Sequence, residues 1–202
     1  LHVHLDGSLR LQTILDLAVD EGCRAVVLSG EGPAFCAGMD FTQFGGGPDN
    51  KLKLLVSTQA LFATLLGFPK PIVAAVQGAA VGGGFALALT CDIRIVSEDA
   101  FFGFFEVKRG IPAFFDLVRL FVDEETARDW CSTGRRIDAG ELLRLGVVSR
   151  VVPQAWLIEE GVREAAKAIG RTLPPGIIRV FADEHLRFRN ALFPGEYLGK
   201  GI

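Results

Sequence analysis

Two glycine-bearing segments offer the first chemistry in this sequence of 202 residues. One runs Gly32-Pro33-Ala34-Phe35-Cys36-Ala37-Gly38-Met39-Asp40; the other runs Gly78-Ala79-Ala80-Val81-Gly82-Gly83-Gly84-Phe85-Ala86. Glycine lets a backbone approach a ligand closely because no Cβ stands in the way. A helix that starts in such a turn presents N–H groups that have no acceptor within the helix. Two such turns facing each other hold one oxyanion between two donors, an arrangement worth roughly 3–4 kcal/mol per donor in a transition state. One such turn taken alone is explained by tight packing. Neither segment is a phosphate loop, since no Gly-Lys-Ser/Thr follows, and neither carries the G-x-G-x-x-G of a dinucleotide-binding turn.

Each segment follows an apolar run that reads as a buried strand. Arg24 to Gly30 precedes the first, and Ile72 to Val76 precedes the second. Helical spacing predicts helices over 9–20 and 51–67, the latter stopped by Pro69-Lys70-Pro71, and another over about 83–90. Residues 1–5 and 92–96 read as strands. Residues 116–131 and 138–145 read as helices, 147–152 as a strand, and 155–170 and 177–190 as two further helices. Strand and helix in alternation predict an α/β fold with mainly parallel strands. The break between a core, 1–153, and a C-terminal helical region, 154–202, falls near Pro153.

Bulk properties exclude several classes. Half of the residues are hydrophobic and the net charge is -3, so no basic stripe points to nucleic acid or an anionic membrane. Pro71 to Cys91 carries no charge and is long enough to span a bilayer, but its glycines divide it into a strand, a turn and a buried helix. Cys23, Cys36, Cys91 and Cys131 form no C-x-x-C pair, which argues against a metal cluster or disulfide framework and fits a reducing cytoplasm. Cys36 lies beside the first turn, and no histidine is an obvious partner for it, so it reads as a small buried hydrophobe. No secretory leader is visible after Leu1.

Taken in order, several segments resemble the crotonase (enoyl-CoA hydratase/isomerase) superfamily. They are Arg24–Gly30 with Ala34–Asp40, Pro69–Gly78, Val81–Gly84, Cys91–Arg94, Phe102–Glu106, Gly110–Pro112 and Gly146–Val152. The resemblance implies a spiral of β-β-α turns, shortened at its N-terminus and followed by C-terminal helices, assembled as a homotrimer or a dimer of trimers. It implies an acyl-CoA thioester as ligand, with CoA part of the substrate and no covalently bound cofactor or metal. It places the oxyanion donors at the N–H groups of Met39 and Gly83, with Ala37, Asp40, Phe41 and Gly82 along the thioester arm. It makes Glu106, at the end of Phe-Gly-x-x-Glu, the acid/base. Without the resemblance Glu106 reads as an ordinary surface glutamate.

The departures from the family pattern narrow the chemistry. Ala86 stands where hydratases of the family carry a second glutamate, so proton transfer in the manner of a Δ3,Δ2-enoyl-CoA isomerase is expected over hydration. Phe114 stands where some relatives place an aspartate, and Asp116 two residues on is expected to point elsewhere. Phe105 replaces a proline, Phe114 and Phe115 stand where small residues are common, and these phenylalanines either shape a narrow acyl pocket or fill it. The alternative is a crotonase-like CoA-binding or assembly subunit that is weak or inactive as an enzyme. A third reading comes from Leu1–Arg10, Leu-His-Val-His-Leu-Asp-Gly-Ser-Leu-Arg, which resembles the start of adenosine-deaminase-like zinc hydrolases. A catalytic zinc takes three or more protein ligands, and His185 is the one histidine besides His2 and His4.

Overall fold

The computed structural model describes residues 11–38, 47–170 and 177–181. Its first sheet is made of five parallel strands: β1 (Ala25–Ser29), β2 (Ile72–Val76), β4 (Ile93–Ser97), β7 (Arg150–Val152) and β8 (Ile177–Phe181), in the order β7-β4-β2-β1-β8. A second sheet holds β3 (Ala79–Val81), β5 (Phe101–Gly103) and β6 (Ile137–Asp138), in the order β3-β5-β6. An isolated parallel bridge between Cys36 and Ala80 extends that sheet beyond β3. The chain therefore visits the first sheet, then the second, then a helix, and repeats. β1 and Cys36 lead to α2 (Pro48–Leu66), and β2 and β3 lead to α3 (Gly83–Thr90). β4 and β5 lead to a 3-10 turn (Phe105–Arg109), then α4 (Phe115–Val118) and α5 (Glu124–Thr133). This is the expected β-β-α spiral.

β1 and β2 are buried on both faces, which is why they read as unbroken apolar runs. Val26, Leu28, Ile72, Ala74, Val76 and Val96 face the larger core with α1 (Leu11–Val19), α2 and α3. Ala25, Val27, Val73, Ala75 and Ile95 face Leu157, Ala165 and Ala166 of α7 (Leu157–Ala168). The apolar run Pro71–Cys91 resolves into β2 and the wholly buried α3, as expected, with the short strand β3 inside the stretch expected as a glycine turn. Among the described residues no helix is long and apolar enough to cross a membrane.

The sequence reading needs three corrections. The helix expected over 177–190 begins instead as β8, paired in parallel with β1 from Ala25↔Ile177 to Ser29↔Phe181. Ile177-Ile178-Arg179-Val180-Phe181 is rich in β-branched residues, and its edge of the sheet supplies the backbone partners that decide between helix and strand. The helix expected over 116–131 is two helices. Asp123 caps the second, accepting from Thr126 N at 2.9 Å and from its hydroxyl at 2.8 Å, so a new helix starts there. The strand expected over 147–152 is shorter, because α6 (Ala139–Arg144) ends in a turn in which Val147 N and Val148 N both donate to Leu142 O. The expected strand over 1–5 lies outside the described residues.

An aromatic cluster sets α3 in place. Phe85, 1% exposed, lies 5.1 Å from Phe102, 5.0 Å from Phe104 and 5.9 Å from Trp130, between ring centroids. Phe85→Ala should cost about 3–5 kcal/mol in urea denaturation, as for other large aromatic deletions in cores. A cost under about 1 kcal/mol would show that the cluster does not anchor the helix.

Candidate active site

The two glycine turns meet. Phe35 N and Cys36 N both donate to Ala79 O, at 3.0 and 3.1 Å, and Val81 N donates to Cys36 O at 3.1 Å. Gln77, buried before the second turn, donates from Nε2 to Gly30 O at 2.8 Å and Gly32 O at 3.3 Å. The two segments are thus zipped from residue 30 to the start of α3. The approach is so close that a Cβ on Gly84 would overlap the carbonyl oxygen of Cys36. A Cβ on Gly38 would lie 2.9 Å from Val81 O and 3.4 Å from Gly83 N. The backbone just before Met39 therefore sits beside the N–H of Gly83.

Gly83 is the first residue of α3, so its N–H has no acceptor within the helix and lies at the positive end of the helix dipole. Gly82, with φ of +55°, turns the chain into the helix through a conformation that costs other residues free energy. Gly82 N donates to Gly103 O at 2.8 Å, tying this corner to the end of β5. Three residues beyond Gly103, Glu106 enters from the 3-10 turn. Its carboxylate faces the same corner: a Cβ on Gly82 would lie 3.0 Å from Glu106 Oε2. Glu106 is half-buried, and burial pushes its carboxyl above the ordinary carboxylate range, only partly offset by a backbone hydrogen bond. Cys131 of α5 lies behind it; burial first, and then the charge of Glu106, push that thiol up to about 11. A thiol so placed stays protonated and is no nucleophile at neutral pH.

The structure therefore joins Gly82, Gly83 and Glu106 at one corner, with Gly38 alongside. Ala37 is exposed next to Gly38. Met39, Asp40 and Phe41 lie outside the described residues, as do His2, His4 and His185. Ala86, where a second carboxylate was looked for, is fully buried. Phe114 packs edge-on against Phe62, with centroids 5.2 Å apart, and lies 6.4 Å from Phe104. Phe105 stacks on Phe101 at 6.5 Å, with Lys108 Nζ 5.5 Å from the centroid of its ring. The side chain of Asp116 is 96% exposed and pairs with Arg119 at 3.7 Å, pointing away as expected. The reading from sequence overlooked Gln77 and the end of α5. A lone polar side chain in the apolar run before Gly78 was the available signal for the first, and Gly134, the left-handed glycine after Thr133, for the second.

Fold and corner together define a β-β-α spiral protein in which a glycine-started helix, a second glycine turn and one carboxylate converge. Comparison with known proteins gives the same frame. The sequence family described as Enoyl-CoA hydratase/isomerase matches residues 10–184. A putative enoyl-CoA hydratase of Thermus thermophilus is 39% identical over 175 residues, covering 83% of this chain and 68% of that protein. The peroxisomal Delta(3,5)-Delta(2,4)-dienoyl-CoA isomerase of Arabidopsis thaliana is 36% identical over 167 residues, covering 74% and 59%. Among solved structures, a probable enoyl-CoA hydratase/isomerase from Mycobacterium abscessus superposes with a TM-score of 0.71 at 35% identity, covering 79% of this chain and 63% of the other. The chain belongs to the enoyl-CoA hydratase/isomerase family, and it spans about three fifths to two thirds of the length of these relatives.

Proposed function

We propose that this chain is an acyl-CoA enzyme that holds a thioester oxygen between the N–H groups of Met39 and Gly83 and moves a proton with Glu106. Δ3,Δ2-Enoyl-CoA isomerisation is favoured over hydration. The observation that carries the reading is the corner itself, where Gly83 N, Gly38 and the Glu106 carboxylate converge while the position of a second glutamate holds the buried Ala86. In the ionised state Glu106 takes a proton from C2 of a 3-enoyl thioester. The electron pair moves to the thioester oxygen, where two fixed N–H groups stabilise it more than they stabilise the ground state. The protonated Glu106 then delivers the proton to C4, and the double bond comes to lie between C2 and C3. Hydration needs a water oriented for attack at C3, and a single carboxylate leaves that water with one anchor.

The pH dependence has a definite sign. The base must be ionised, and burial raises its pKa. The acidic limb of kcat should therefore lie above pH 4.3, about the ordinary glutamate value, with the rate rising with pH through it. A limb at or below that value in a kcat–pH profile counts against Glu106 as a buried base.

The deciding assay compares 3-enoyl-CoA with 2-enoyl-CoA substrates at equal concentration. Preferred turnover of the 3-enoyl thioester supports isomerisation. Preferred hydration of the 2-enoyl thioester overturns that preference. CoA binding without turnover of either supports a binding or assembly subunit, the second reading, which the buried Ala86 favours. Cytoplasmic residence and a homotrimer or dimer of trimers belong to the same proposal; light scattering of the purified chain tests the assembly.

A further inference from the structure

The 3-10 turn that carries Glu106 is only partly packed: none of its residues, Phe105–Arg109, is fully buried, though Val107 lies against the core and Phe105 against Phe101. The turn after α5 backs it on the side away from the glycine corner's donors, against Phe104 and Val107. Gly134 ends α5 in the left-handed conformation, φ +55°, and donates to Trp130 O at 3.3 Å. Gly134 is buried against the turn: a Cβ there would lie 2.7 Å from Val107 Cγ2 and 2.8 Å from Phe104 O. Phe104 O accepts from Val107 N at 3.3 Å, the hydrogen bond that closes the 3-10 turn around Glu106. The carbonyl of the next residue, Arg135, presses on Gly103, where a Cβ would lie 2.7 Å from it. The segment 134–135 is therefore in contact with the chain on both sides of Glu106.

Arg135 is the group that fixes this segment. Its guanidinium donates from Nη1 to Glu141 Oε2 at 2.9 Å and from Nη2 to Glu141 Oε1 at 2.5 Å, and from Nε to Asp129 Oδ2 at 2.6 Å. Glu141 also accepts from the indole N–H of Trp130 at 3.2 Å. Trp130 is fully buried against Phe85 of α3, the helix that begins at Gly83. One planar fork thus joins α5, α6 and the aromatic cluster under α3. Arg135 is about two fifths exposed, so these pairs add little to global stability. A bidentate arginine is valuable here for geometry, since it fixes direction as well as distance.

We propose that Arg135, held by Glu141 and Asp129, is a positioning residue that holds the Glu106 turn against the oxyanion corner. It touches neither substrate nor reacting atoms and acts through Gly134, Phe104 and Val107. The inference rests on Glu106 being the acid/base.

The test is steady-state kinetics of Arg135→Met, Arg135→Lys, Glu141→Gln and Glu106→Gln, each with a kcat–pH profile and a thermal melt, using the enoyl thioester that the wild type turns over. Arg135→Met should lower kcat roughly tenfold to a hundredfold, the scale on which small misplacements of a reacting group act, with KM within about twofold. Its acidic limb should move to lower pH, because a loosened turn lets water reach the carboxylate. Glu141→Gln, which keeps the shape of the side chain, should do the same more weakly. Arg135→Lys should restore part of kcat, as it keeps the charge but not the fork. A merely structural role lowers kcat equally at every pH and leaves the limb in place, and that result overturns the proposal. So does wild-type kcat in folded Arg135→Met. If Arg135→Met does not fold, Glu141→Gln with an unmoved limb overturns it equally. If Glu106→Gln keeps full activity, the assignment of the base itself fails, whatever the Arg135 variants do.

Discussion

Glu106→Gln should abolish turnover, lowering kcat by about 10²–10⁴ as expected for loss of a positioned acid/base, while the KM for the thioester changes little. The amide keeps the shape of the side chain but takes no proton at neutral pH, and the proposed donors to the thioester, Met39 and Gly83, are unchanged. A change of this pattern, all in kcat, marks an interaction made in the transition state. Retention of more than about a tenth of wild-type kcat would remove Glu106 from the chemistry. The same variant carries a stability signature of known sign. Burial disfavours the ionised carboxyl, so the folded state holds its proton to higher pH than the unfolded chain does. Stability from this group is therefore present below the unfolded pKa and lost as pH rises through the folded one. Glu106→Gln should melt higher than the wild type at neutral pH, and the difference should close at pH 4 and below, about the ordinary carboxylate range. Loss of activity with a gain in stability is the mark of a group held in an unfavourable place for its function.

Gly84→Ala should be nearly as damaging to turnover, and for a reason that has no side-chain chemistry in it. The added Cβ overlaps the carbonyl oxygen of Cys36, which is backbone and itself accepts from Val81 N. The chain can relieve the overlap only by parting the two glycine turns. That displaces the N–H of Gly83 relative to the backbone at Gly38, and with it the proposed oxyanion hole. The expected loss is about 10²–10³ in kcat, the scale of one oxyanion donor. The kcat–pH limb should stay in place, since Glu106 is untouched, which separates this variant from those at Arg135. A folded Gly84→Ala with wild-type kcat, checked by single-turnover kinetics, would show that the spacing of the two turns does not matter for the reaction.

The sequence alone determined the elements whose identity is decided by buried apolar runs. β1 and β2 are legible because both their faces are covered and every side chain is apolar or small, and β4 because Ile93, Ile95 and Val96 keep the apolar run around Arg94. α3 is legible from its glycine start, and α5 would have been from Asp123. The two glycine turns are visible as a pair, and Glu106 becomes visible through the family pattern around it. The partnership of these residues is another matter. Cys36 and Ala80 are 44 positions apart, and only the parallel bridge between them puts Gly38 beside Gly83. β3, β5 and β6 have two or three residues each, too short for a periodic signal, yet they form the sheet that aligns the corner. β8 reads as helix until β1 offers it a parallel edge. Local chemistry writes the turns and the strands; long-range backbone pairing, which no local pattern encodes, decides that two glycine turns and one carboxylate share a corner.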